Sequence, residues 1–128
     1  MKLRVFVMAA AMLVSPAARA LDIYSDMGGN PVAYAQKFRS ASKPIRILGI
    51  CGSACTMALR YGACVGPNAQ LWFHAVHGAG ASNGIATRWV MGFYPPAVQG
   101  WIRARGGLTS AKLVLSGREL HARVQSCK

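Results

Sequence analysis

The run Ile45-Arg46-Ile47-Leu48-Gly49-Ile50-Cys51-Gly52-Ser53-Ala54-Cys55-Thr56-Met57-Ala58-Leu59-Arg60-Tyr61-Gly62 decides how this chain is read. Its first part is apolar and β-branched, which predicts a buried strand over Pro44–Ile50. The part from Ala54 to Tyr61 reads as a helix that Gly62 ends. Ser53 therefore stands at a strand-to-helix junction. There its hydroxyl meets the positive end of a helix dipole and unshared backbone N–H groups, a setting that stabilises developing negative charge. The plainer role for a serine at this place is a helix cap, because serine is a preferred capping residue.

The same pattern recurs on both sides. Upstream, Leu21 to Ser25 reads as a strand running into the glycine pair Gly28-Gly29. Unshielded glycine backbone can approach a substrate carbonyl and form an oxyanion hole. Asn30-Pro31 then supplies a cap and a first-turn proline for a helix to about Ser40, with Tyr34 and Phe38 on its buried face. Downstream, Gly66-Pro67-Asn68 reads as a turn between short strands at Ala63–Val65 and Leu71–Phe73, and the second strand ends in His74. Strands alternating with helices predict an α/β domain with a mainly parallel sheet, in which ligands gather at strand carboxyl ends.

The chain order of glycine loop, serine turn and histidine strand resembles the ClpP-type serine peptidases of the ClpP/crotonase superfamily. The likeness is closest to small exported relatives carrying Gly-x-Cys-x-Ser-Ala-Cys-Thr and a later Phe-His-Ala, here Gly49 to Thr56 and Phe73-His74-Ala75. It covers about residues 21 to 80. It implies a shortened ClpP/crotonase-like fold, mainly parallel with flanking helices, and a serine hydrolase acting on peptide or protein substrates. In that reading Ser53 is the nucleophile, His74 is the general base, and Gly28, Gly29 and the Ala54 N–H form the oxyanion hole. The family's third member is an aspartate after the histidine, whereas the only acid after His74 here is Glu119. A glutamate can orient an imidazole. Flanking Arg118 and Arg123 offer Glu119 a local charge pair instead. The competing reading is a catalytically inactive periplasmic binding or assembly protein that retains the fold.

Residues 1 to 20 have a basic start at Lys2 and Arg4, an apolar run from Val5 to Val14, and the small-x-small end Ala18-Arg19-Ala20. That is the pattern of a signal peptide, with export to the periplasm or outside the cell and a single domain over 21–128. Export suits the four cysteines, Cys51, Cys55, Cys64 and Cys127, which predict two disulfides with three pairings open. A metal site built from them with His74, His77 or His121 lacks a Cys-x-x-Cys pair, so neither metal nor cofactor is expected.

Without Lys2, Arg4 and Arg19, twelve basic side chains face three acidic ones, a formal charge of +9. The plain account of such a charge is solubility, and the second is attraction to anionic envelope surfaces, lipid or cell-wall polymer. The basic residues are scattered and no RNA-binding signature is present, which argues against a specific nucleic-acid partner. Self-association is left open. The glycine-rich run from His77 to Gly84 predicts a mobile loop ahead of a helix near Ile85, with His77 facing solvent. After Pro95-Pro96, the stripe Val98, Trp101 and Ile102 reads as core on a helix ending at Gly106-Gly107. Leu113-Val114-Leu115 reads as a closing strand, and Ser116-Gly117 as a turn into a short tail with Glu119 and His121.

Overall fold

A computed structural model describes residues 20–78 and 81–128. The expected signal peptide lies outside the described residues apart from Ala20. The elements are β1 (Leu21–Asp26), α1 (Pro31–Arg39), β2 (Ile45–Gly52), a 3₁₀ helix (Ser53–Tyr61), β3 (Cys64–Val65), β4 (Gln70–Phe73), β5 (His77–Gly78), β6 (Ala81–Ser82), α2 (Gly84–Met91), α3 (Pro96–Arg103), β7 (Leu113–Ser116) and α4 (Gly117–His121).

The main sheet has the order β1-β2-β4-β7, with β3 paired to the first half of β2. Pairings of β2 with β1, β3 and β4 are parallel, and β7 closes the edge antiparallel to β4, so the sheet is mixed. At the outer pair, Asp22 opposes Arg46 in register and accepts two hydrogen bonds from its guanidinium, each 2.7 Å long. That pairing holds the Asp22 carboxyl below its ordinary range, mainly through the hydrogen bonds.

One irregularity shapes the carboxyl ends of these strands. Ile23 pairs with Ile47 but Ser25 pairs with Ile50, so β2 carries an extra residue opposite Tyr24. Gly49 fills that bulge because any side chain there would run into the Tyr24 carbonyl. A bulge of this kind bends a strand and re-aims the residues beyond it.

Local chemistry explains the helices. The Asn30 side chain accepts from the N–H groups of Val32 and Ala33, and Pro31 occupies the first helical position, where its missing N–H costs nothing. Asn83 caps α2 by accepting from Ala86. The core is one cluster in which Phe38, Ile47, Met57, Leu71, Phe73, Val98 and Ile102 are fully enclosed. Phe73 packs edge-on against Tyr94 at 5.0 Å between ring centres and tilted against Trp101 at 6.1 Å.

Three expectations change. The helix after β2 winds as a 3₁₀ helix through Tyr61, with Gly62 in the left-handed conformation at its end. The run after His77 contains a short hairpin in which His77 pairs with Ser82 and Gly78 with Ala81, while residues 79 and 80 lie outside the described set. The tail after β7 forms the short helix α4, which carries Glu119.

Candidate active site

Three adjacent parallel strands deliver the candidate groups to one edge of the sheet: β1 leads to Gly28-Gly29, β2 to Ser53 and β4 to His74. The N-terminal residues of α1, the Ser53 turn, His74, His77 and Tyr94 line one cavity of about 330 Å³.

Ser53 does not cap the helix. Gly52 is the extended residue ahead of it, and Ser53 itself has φ 56°, a left-handed conformation found at no other non-glycine residue among those described. A non-glycine residue held there costs about 1–3 kcal/mol, which the surroundings must offset. The same sharp strand-to-helix turn is what projects a nucleophilic serine in α/β-hydrolases. Three supports converge on it. The Cys51–Cys55 disulfide spans the turn with Cα atoms 5.3 Å apart. Both of these cysteines are fully buried. Gly28 presses against the turn from β1: a Cβ there would lie 2.6 Å from the Ala54 nitrogen and 2.8 Å from the Ser53 Cβ. Thr56 donates its hydroxyl to the Ser53 carbonyl at 2.6 Å.

That last bond fixes the next. The Thr56 proton is committed to a carbonyl, which only accepts, so the Tyr94 hydroxyl donates to Thr56 across 2.7 Å. Burial pushes the Tyr94 phenol well above its ordinary range. Tyr94 is thus a neutral strut beneath the turn.

The Gly28-Gly29 loop is organised by Asp26. Its Oδ1 accepts from the Gly28 N–H at 2.8 Å and from the Tyr34 hydroxyl at 2.7 Å, and Lys37 lies 3.8 Å from its Oδ2. The hydrogen bond to Asp26, with help from burial and the carboxylate charge, pushes Tyr34 up to about 12. Of the three expected oxyanion donors, Gly28 is therefore committed elsewhere. It serves the site through its missing side chain and its φ of 79°. Gly29 and Ala54 remain on the cavity wall, and the first-turn N–H of Ala54 has no partner within its helix.

The His74 Nδ1 lies 2.7 Å from the Ala75 carbonyl oxygen. A carbonyl cannot donate, so Nδ1 carries a proton, and in the neutral ring Nε2 is then the acceptor, the tautomer a general base needs. No hydrogen bond joins Ser53 to His74 among the described residues; such bonds tighten when substrate binds. His77, expected simply to face solvent, is exposed but stacks on His74 with ring centres 5.4 Å apart and planes 20° from parallel.

Glu119 is not brought to His74. Its Oε2 accepts from Trp101 Nε1 at 2.6 Å and pairs with Arg105 at 3.2 Å. The charge partner is thus Arg105 rather than Arg118 or Arg123; Arg123 instead donates to the Glu119 backbone carbonyl. The reason is topological, since α4 packs beside β7 on the far side of β4 and meets the end of α3. His121 bonds Ser126 at 2.6 Å, away from the cavity.

The cysteines resolve into Cys51–Cys55 and Cys64–Cys127, so none is free as a thiolate ligand. The second bridge ties the chain end to β3, beside the Val65 and Ser126 bridge. No helix among the described residues is long and apolar enough to cross a membrane. Comparison with protein-family models, curated proteins and solved structures found no match.

Proposed function

We propose that this protein is an exported, ClpP-like serine hydrolase acting on peptides, with a shortened ClpP/crotonase-like fold. The observation that carries the reading is the left-handed Ser53 at the mouth of a cavity it shares with a correctly protonated His74.

In this mechanism the Ser53 Oγ attacks the scissile carbonyl carbon as its proton passes to His74 Nε2. The tetrahedral oxyanion accepts from the Gly29 and Ala54 N–H groups, with the N-termini of α1 and the 3₁₀ helix adding positive potential. Imidazolium then protonates the leaving amine, the C–N bond breaks, and water repeats the sequence to release the acyl group from Ser53. The Ala75 carbonyl takes the place of the third carboxylate. It orients the ring as a carboxylate does but carries only a dipole, so imidazolium is less stabilised and turnover is slower than in a Ser-His-Asp enzyme.

The silent binding or assembly protein draws support from the engagement of Glu119 by Trp101 and Arg105. Hydrolysis of peptide and ester reporters by oxidised protein separates the two. Ser53→Ala should lower kcat by about four orders of magnitude or more with the fold intact. Equal residual rates in the variant and the parent chain would remove the hydrolase reading.

A further inference from the structure

A second concavity, of about 620 Å³, lies on the other side of α2. Val90 on α2 faces the Ser53 cavity, whereas Arg88 and Trp89 face this groove. Arg39 from the end of α1 and Arg60 from the end of the 3₁₀ helix line it together with Arg88. Each arginine alone is accounted for by its place in a last helical turn, where a cation offsets the dipole. That does not explain why three of them converge on one hollow.

Nor does the chain supply a counter-ion. It has three side-chain carboxylates in all. Asp22 is held by Arg46, Asp26 by Gly28, Tyr34 and Lys37, and Glu119 by Trp101 and Arg105. None of the three pairs with Arg39, Arg60 or Arg88. Beside this cationic hollow, α2 presents apolar surface outward: Ile85 is 76% exposed and Trp89 is 43% exposed, one helical turn apart on the same face. A polar anion or a nucleic-acid backbone has no use for the outward Ile85. Basic side chains around an outward isoleucine and tryptophan suit the interface of an anionic bilayer, with phosphate groups in the hollow and the two apolar side chains among the acyl boundary.

We propose that the α2 face is a docking surface for anionic phospholipid membrane, with Arg39, Arg60 and Arg88 binding headgroup phosphate and Ile85 and Trp89 entering the interface. This surface stands independently of the hydrolase reading, and it would set the Ser53 cavity, across one helix, beside the bilayer.

Vesicle co-sedimentation tests it, using oxidised chain that begins at Leu21, since among the described residues the sheet and core lie from that residue onward. The protein should sediment with phosphatidylcholine vesicles containing about one-quarter phosphatidylglycerol, not with pure phosphatidylcholine, and the binding should weaken with salt. Arg39→Gln with Arg88→Gln should weaken binding about thirtyfold, and Ile85→Ser about tenfold. Thermal melts should show both variants folded, and Ser53→Ala should bind as the parent does. Equal binding to both vesicle types, or no loss in the arginine variant, would overturn the proposal. So would retention by heparin without vesicle selectivity, which would assign the groove to a soluble acidic polymer.

Discussion

The Ser53 turn and the His74 segment line one cavity but are held in opposite ways. Around Ser53 a fully buried disulfide, the pressed Gly28 backbone and the Thr56–Tyr94 pair converge on a conformation the residue would not adopt alone. His74 is held by one bond to the carbonyl of its own neighbour and by an exposed partner ring. Strain is thus stored where the core can support it, and freedom is left to the group proposed to move a proton. Damage to the turn should therefore register first as lost stability, and damage on the other side as lost chemistry alone.

Gly28→Ala should show the largest stability effect. The added methyl meets the Ala54 nitrogen and the Ser53 Cβ in a backbone with φ of 79°. Left-handed strain and overpacking together predict a loss of about 3 kcal/mol in denaturant unfolding. A near-neutral result would mean that β1 does not brace the turn. Replacing Cys51 and Cys55 by alanine should cost about 2 kcal/mol, because the closed loop is short, and should lower turnover further than that loss explains. Unchanged turnover in this pair would show that Ser53 keeps its geometry without the bridge.

A smaller effect reports on the Gly28-Gly29 loop. The folded state holds the Tyr34 proton more tightly than the unfolded chain does, with a value raised from 10.0 to about 12. Its contribution is complete below the lower value and is lost as pH rises through the upper one. Stability should fall across that alkaline window, and Tyr34→Phe should remove part of the fall. Tyr94, also raised, keeps the remainder. Identical alkaline profiles would detach Tyr34 from the loop's organisation.

Glu119→Gln should have the smallest effect. The side chain is 57% exposed, its pair with Arg105 is a surface one, and Trp101 can still donate to the amide oxygen. Within about 1 kcal/mol of stability and no change in Ser53 chemistry are expected. A loss of turnover by orders of magnitude would restore Glu119 to the triad.

What the sequence made legible was local. The Asn30-Pro31 start of α1, the run through β2 into Ser53, and His74 at the end of a strand each depend on neighbours within a few positions. The pairing of Cys51 with Cys55, by contrast, is one of three arrangements that composition cannot separate. Tyr94 lies thirty-eight positions from Thr56, and no local pattern signals their bond. Sequence proximity points Glu119 to Arg118 and Arg123, because Arg105 comes near only once β7 closes beside β4. His77 reads as a plain loop residue, and its spacing of three from His74 is the one available hint of the stack.

At the heart of the proposed mechanism is Ser53 as a nucleophile activated by His74. A fluorophosphonate probe, followed by intact mass and peptide mapping of the oxidised protein, reads this pairing directly. One adduct per chain is expected, on Ser53, with labelling slowed at least about a hundredfold in His74→Gln. No adduct, an adduct on another serine, or equal labelling of the histidine variant would refute the mechanism.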